Sequence, residues 1–258
     1  MNQTGATDKL RLYKASINCN WKSARKILDQ KPGLQNEILN EREETALHVV
    51  AAATAEPKKM RRFVTKLLGE MTDEKKKSKN KGDYTALYLA AVAGNLEFVK
   101  IMVPVDPRTV GPMTVGSSIV ELGRGFLGGV KKAVALCGND DKVDTVDSST
   151  LELGRTLLTI RGSGGKVRRK DMPLHAAALY GKYDIVKYIL DHAVTNFGEV
   201  GWDEFNRDRF LEKCVEYDMF DIALEIVKKY LRPVSESPVT KPNSIWTNIK
   251  SGKHIDLT

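Results

Sequence analysis

The stretch that most constrains this chain runs from Asp171 to Leu190, because it packs two short helices and the turn between them into twenty residues. Pro173 suits the first turn of a helix, where its missing N–H would have no partner in any case. Leu174, Ala177 and Ala178 give that helix a narrow apolar face. Gly181 can take the left-handed conformation that ends it, and Ile185, Val186, Ile189 and Leu190 form an apolar stripe along a second helix. Neither helix is long enough to be stable alone, so the sequence asks for neighbours.

The same register returns four more times. In a copy from Gly82 to Val103, Thr85, Leu87 and Gly94 hold the places of Met172, Leu174 and Gly181, and Tyr88 stands where His175 does. Thr45, Leu47 and His48 begin another. Its second helix, carrying Phe63, Val64, Leu67 and Leu68, arrives about five residues late, which predicts a longer turn from Thr54 to Lys59 around Pro57. Less regular copies flank these: Leu12 to Ala15 with Trp21 to Leu28 at one end, Phe210 to Val215 with Phe220 to Val227 at the other. End copies have one face without a neighbour and are expected to be atypical, with Trp21 sealing the open end. The expectation is an all-α solenoid of about five helix-turn-helix repeats with pairs near 10–28, 45–68, 85–103, 172–190 and 209–230. Residues 10–103 hold repeats one to three and 156–231 hold repeats four and five, between a disordered N-terminus, 1–9, and a disordered tail, 232–258.

Residues 104–155 interrupt this order. Thr85 and Met172 lie 87 positions apart, where the other copies suggest about 35. The segment is rich in Gly, Val, Thr, Ser and Asp, begins with Pro104, Pro107 and Pro112, and is expected as an irregular insertion extruded from one edge. It holds a G-x-G-x-x-G pattern from Gly123 to Gly128 after the strand-like Ser118 to Leu122, and Asp144 falls where a dinucleotide-binding unit keeps its ribose-binding acid. A short following helix and helical flanks, instead of further strands, make a dinucleotide-binding enzyme the remote alternative. Gly162 to Lys166 is no phosphate-binding loop, since Val167 follows the lysine. No catalytic, cofactor-binding or metal residue and no small-molecule substrate is expected.

Composition narrows the partners. Hydrophobic residues make up 41% of the chain, and no apolar run approaches the length of a membrane span, so a soluble chain is expected. Cys19, Cys137 and Cys214 are odd in number and far apart, which fits free thiols in a reducing, cytoplasmic compartment. A net charge of +8 favours an acidic partner. The cations cluster at Lys75, Lys76, Lys77, Lys79 and Lys81, and again at Arg161, Lys166, Arg168, Arg169 and Lys170, both just before a repeat begins. Equivalent loops should project from one edge as a shared contact for an acidic protein or, alternatively, for an anionic membrane surface; nucleic acid is not the expected partner.

A period of about 33 residues and the pattern T-P-L-H-x-A belong to the ankyrin repeat, and Thr45-Ala46-Leu47-His48 and Met172-Pro173-Leu174-His175 resemble it, the latter with Met for Thr. With Leu12-Tyr13-Lys14-Ala15, the stretch Thr156 to Gly165, and Met219 to Leu224, the chain from about Leu10 to Leu231 resembles the amino-terminal half of plant ankyrin-repeat proteins of the accelerated-cell-death and salt-tolerance type. The resemblance implies a non-enzymatic interaction scaffold in stress or defence signalling. Members continue into a PGG domain with membrane-spanning helices, which has no counterpart in this sequence; the chain itself is expected in the cytoplasm, at most at the cytosolic face of a membrane. Removing 104–155 would join Val103 to Thr156 and restore the family's period. In such repeats the histidine bonds near the start of its own helix and to the neighbouring loop, which is the role implied for His48 and His175; they have no acidic or thiol partner at ligand spacing, and Tyr88 should weaken the link in the middle repeat.

Overall fold

In the computed structural model of the protein, residues 3–105, 148–161, 171–192 and 204–230 are described. Twelve α-helices lie among them, most in pairs: α1 (Gln3–Ile17) with α2 (Trp21–Gln30), α3 (Ala46–Ala51) with α4 (Pro57–Glu70), and α6 (Ala86–Ala93) with α7 (Leu96–Met102). Further on come α9 (Pro173–Leu179) with α10 (Tyr183–His192) and α11 (Glu204–Glu216) with α12 (Phe220–Tyr230). A one-turn helix, α5 (Asp73–Lys76), sits in a connection, and α8 (Ser148–Thr159) stands outside the pairs.

Local chemistry sets the ends of these short helices. Asn20 Oδ1 accepts from the N–H of Ser23 at 3.1 Å, Thr85 Oγ1 from that of Tyr88 at 3.2 Å, and Asn95 Oδ1 from that of Phe98 at 3.1 Å. Pro57 and Pro173 each open a helix. Gly94 ends α6 with φ 84°, and its N–H reaches Ala90 O at 3.0 Å. Asn95 also reaches back to the preceding pair, where its Nδ2 donates to Ala51 O at 3.1 Å and Ala53 O at 3.3 Å, satisfying carbonyls at the end of α3.

The first helices α1, α3, α6, α9 and α11 pack in succession, and α2, α4, α7 and α10 form a second succession behind them. Close approach in the first row needs small side chains, and Ala46, Ala90, Ala91, Ala177 and Ala178 are fully buried there. Larger residues fill the space between the rows, among them Phe63, Phe98, Phe210, Leu67 and Met102. An ionic ladder links the second row. The fifth residue of each second helix is Arg25, Arg61, Lys100, Lys187 or Leu224. Arg25 meets Glu70, Arg61 meets Glu97 at 2.8 Å, and Lys187 meets Glu225 at 2.9 Å, in each case on the next second helix. Lys100 instead lies over the Tyr188 ring, 6.0 Å from its centroid. Each exposed pair contributes only about 0.2–1 kcal/mol, so the ladder sets register more than it adds stability.

The structure corrects four expectations. Helix α1 begins at Gln3, so residues 3–9 are not a disordered lead-in; Asp8, which accepts from Lys31 at 2.9 Å, ties this turn to the end of α2. Pro57 is the first residue of α4 instead of the middle of a turn, because its fixed φ suits a helix start. Trp21 does not seal the open end: its ring meets Phe63 edge-on at 5.7 Å, between α2 and α4. The largest correction concerns 104–155. Its last eight residues lie in α8, which packs against α7 and α9. Leu151, Leu153, Leu157 and Leu158 are buried. Gly154 lets the helix come so close that a Cβ there would stand 2.8 Å from Met102 O. A boundary at Arg155 therefore cuts through a docked helix, and joining Val103 to Thr156 would delete part of its buried face.

Candidate interaction surface

The connection before α6 is built as a tied finger. Thr72 caps α5, Lys79 and Thr85 form an antiparallel bridge, and Asn80 Oδ1 accepts from the N–H groups of Gly82 and Tyr84, both at 3.0 Å. Asp83 takes a left-handed conformation at φ 63°. The preceding finger repeats the device: Asn40 Oδ1 accepts from Arg42 and Glu44 N–H at 3.1 Å, and Glu43 has φ 58°. The two tips are joined by Lys81 N–H donating to Arg42 O at 2.9 Å.

His48 fastens the second finger to the helix behind it. Thr45 N–H reaches its Nδ1 at 3.3 Å, with Thr45 Oγ1 2.9 Å from the same atom, and Nε2 lies 3.1 Å from Ser78 O. With Nδ1 accepting, Nε2 carries the proton and donates to Ser78. Burial lowers the pKa of His48 below its usual value, against opposing contributions from Glu44 and the carbonyls of Tyr84 and Ser78. It is thus neutral at pH 7 and serves the finger as a clasp. His175 is buried as well, its ring edge-on to Phe210 at 6.1 Å. Tyr88, in the equivalent place on α6, makes no such clasp. Its ring stacks on Tyr84 at 4.6 Å and 17°, so an aromatic pair replaces the histidine link at the root of the finger. Burial, followed by the nearby Tyr84, Asp171 and Tyr180, holds the Tyr88 phenol in its protonated form.

The finger presents its cations unequally. Lys76 is held by Asp73 at 2.8 Å and Lys79 by Asp83 at 2.9 Å, whereas Lys81 sits exposed at the tip beside Arg42. Lys75 and Lys77 are half-buried. Arg161 follows α8 and is half-buried, while Lys166, Arg168, Arg169 and Lys170 lie outside the described residues, as do Gly123 to Gly128 and Asp144. Arg42 is the cation that sequence reasoning missed; an Asn five positions before a helix-opening Thr, at both Asn40 and Asn80, was the available signal.

Cys19 and Cys214 are buried thiols, pushed up by burial to about 11 and about 12, and behave as core residues. Among the described residues no group of three or more His, Cys, Asp or Glu could hold a metal ion, and no helix is long and apolar enough to cross a membrane.

Among the described residues, a row of short helix pairs with tied loops presents an extended helical surface. Residues 170–196, which hold α9 and α10, match the family model of the ankyrin repeat. No curated protein matches the chain. The ankyrin repeat is a protein-interaction module, so the match supports binding of a protein partner.

Proposed function

We propose that the five helix pairs are consecutive ankyrin repeats and that the chain is a non-enzymatic scaffold gripping an acidic protein along its finger edge. The observation that carries this reading is the preorganised finger. His48 clasps its base, Asn80 shapes its tip, and the Lys81–Arg42 bond holds two tips together, so cations are presented without an ordering cost at binding. The net charge of +8 steers an acidic partner toward the same edge. Lys166, Arg168, Arg169 and Lys170 precede α9 as the lysine run precedes α6, which extends the proposed contact to the fourth repeat. The likeness of the chain to the accelerated-cell-death and salt-tolerance group supports placing the partner in plant stress or defence signalling.

The test replaces Arg42, Lys75, Lys77 and Lys81 with Gln. Proteins recovered with the parent chain from native tissue should be released by added salt and lost with the variant. Arg42 and Lys81 are exposed and Lys75 and Lys77 only half-buried, and surface substitutions of this kind usually shift stability by no more than about 0.5 kcal/mol each, so the thermal midpoint should hold to within a few degrees. Equal recovery by both chains at every salt concentration would refute the reading. Charge-dependent binding to phosphatidylserine vesicles, with no protein recovered, would transfer the cations to the membrane-surface alternative.

A further inference from the structure

Between α1 and α2, the first pair carries a groove lined by Arg11, Lys14, Ala15, Asn20, Lys26 and Ile27 among others. Asn20 caps α2 as Asn95 caps α7, which aligns the first pair with the third, and Gly181 aligns the fourth with both. On those later pairs the groove positions reach back to the pair before. Asn95 Nδ2 donates to carbonyls at the end of α3, and Tyr188, the counterpart of Lys26, donates to Val103 O at 2.8 Å. Where the groove has Arg11, Lys14 and Lys26, the third pair has Ala86, Leu89 and Ile101. The ionic ladder is reversed at this face as well. Later second helices receive it on acids: Glu97 and Asp221, the second residues of α7 and α12, and Glu225, the sixth of α12. The second and sixth residues of α2 are Lys22 and Lys26, both exposed. Among the described residues Lys14, Lys22 and Lys26 have no carboxylate partner, while Arg11 has Asp8 at 3.5 Å. Ala15 and Ile27 make part of the groove apolar, and Leu10 and Ile17, 52% and 40% exposed and two turns apart on α1, extend that character beyond it.

We propose that this face docks an acidic amphipathic helix of a partner protein, on residues other than those of the finger edge. Its shape is a socket whose counterparts on later pairs hold helices of the preceding pair, and it takes the apolar stripe of the incoming helix. Arg11, Lys14, Lys22 and Lys26 meet carboxylates flanking that stripe, the opposite charge sense to the internal ladder. Asn20 Nδ2 stands where Asn95 Nδ2 serves the last carbonyls of α3, and does the same for the end of the docked helix. A second copy of this chain, also carrying +8, is repelled by the same cations, and a flat bilayer does not enter a groove between two helices. An acidic helix satisfies both the charge and the shape.

The probe is a labelled helical peptide with leucines at i, i+3, i+4 and i+7 spacing and glutamates on both flanks, titrated against the full chain by fluorescence anisotropy. Its binding should weaken with added salt. Lys14 and Lys26 are exposed, so the Lys14→Glu, Lys26→Glu double variant should fold as the parent does. It should bind the peptide at least about tenfold more weakly. A peptide with lysine in place of each glutamate should bind the parent as poorly. The side-chain amide signals of Asn20 in NMR spectra should shift on adding the glutamate peptide, while those of Asn40 and Asn80 stay in place. Absence of saturable binding by the parent overturns the proposal, as do equal affinities of parent and variant or of the two peptides. Shifts confined to Asn40 and Asn80 assign the peptide to the finger edge, and binding of phosphatidylserine vesicles without the peptide assigns the face to a membrane; either result overturns the proposal as well.

Discussion

Replacing Gly154 with Ala sets two effects of known sign against each other. In an unconstrained helix interior the change gains about 0.5–1 kcal/mol, because glycine loses more backbone freedom on folding. Here the new Cβ would stand 2.8 Å from Met102 O and 3.2 Å from Val103 Cα. Both atoms belong to backbone, so no flexible side-chain end can yield. Overpacking of that kind costs about 1–3 kcal/mol, which exceeds the helix gain. The net loss should be up to about 2.5 kcal/mol, a fall of up to about 10 °C in the thermal midpoint for a chain of this size. Gly69→Ala in α4 is the control, since nothing lies within 4 Å of its Cβ position. It should raise stability by up to about 1 kcal/mol. Thermal unfolding followed by circular dichroism, with urea midpoints at unchanged slope, measures both. If Gly154→Ala raises the midpoint as Gly69→Ala does, helix α8 does not lie against the end of α7 and the packing described for it is wrong.

Ala177 is fully buried in the row of first helices, and Ala177→Leu should lower stability by about 1–3 kcal/mol; an unchanged urea midpoint would contradict the close approach of α6, α9 and α11. His48, whose pKa is lowered by burial, binds its proton at lower pH in the folded chain than in the unfolded one. Its contribution is therefore complete above about pH 6.5 and is lost as pH falls through the lowered folded value. His48→Gln should flatten the decline in urea midpoint between about pH 6.5 and 5, and an identical decline in both proteins would refute the clasp.

The helix pairs were legible because the signal is local: Pro173, Gly94, Gly181 and the stripes at Ile185 to Leu190 or Phe63 to Leu68 all act within a few turns. What escaped was long-range or lay in weakly patterned sequence. Trp21 opens α2, but the residue it meets is Phe63, and nothing in the periodicity of either helix names the other. Helix α8 was hidden because its apolar residues straddle a change in composition, with Leu151 and Leu153 on one side of Arg155 and Leu157 and Leu158 on the other. Read together with Gly154 they make one face. The start of α1 carries almost no apolar signal, and its tie is Asp8 to Lys31. The ionic ladder could have been found from sequence by aligning second helices on their first residues, which places Arg25, Arg61, Lys100 and Lys187 in one column. The acidic finger partners Asp73 and Asp83 were equally visible; which lysines they hold needed geometry.

The contact of Gly154 with the end of α7 also bears on how this chain can change over time. The polypeptide departs just after Met102 and, by residue 154, has returned to touch that same carbonyl. The span from 106 to 147 is bracketed by a closed joint, to which Val103 on one side and Leu151 and Leu153 on the other contribute buried side chains. Lengthening such a bracketed span is cheap, about 0.6 kcal/mol for each doubling. The joint is therefore a socket in the architecture, where material can be gained, lost or exchanged between two halves that remain in register.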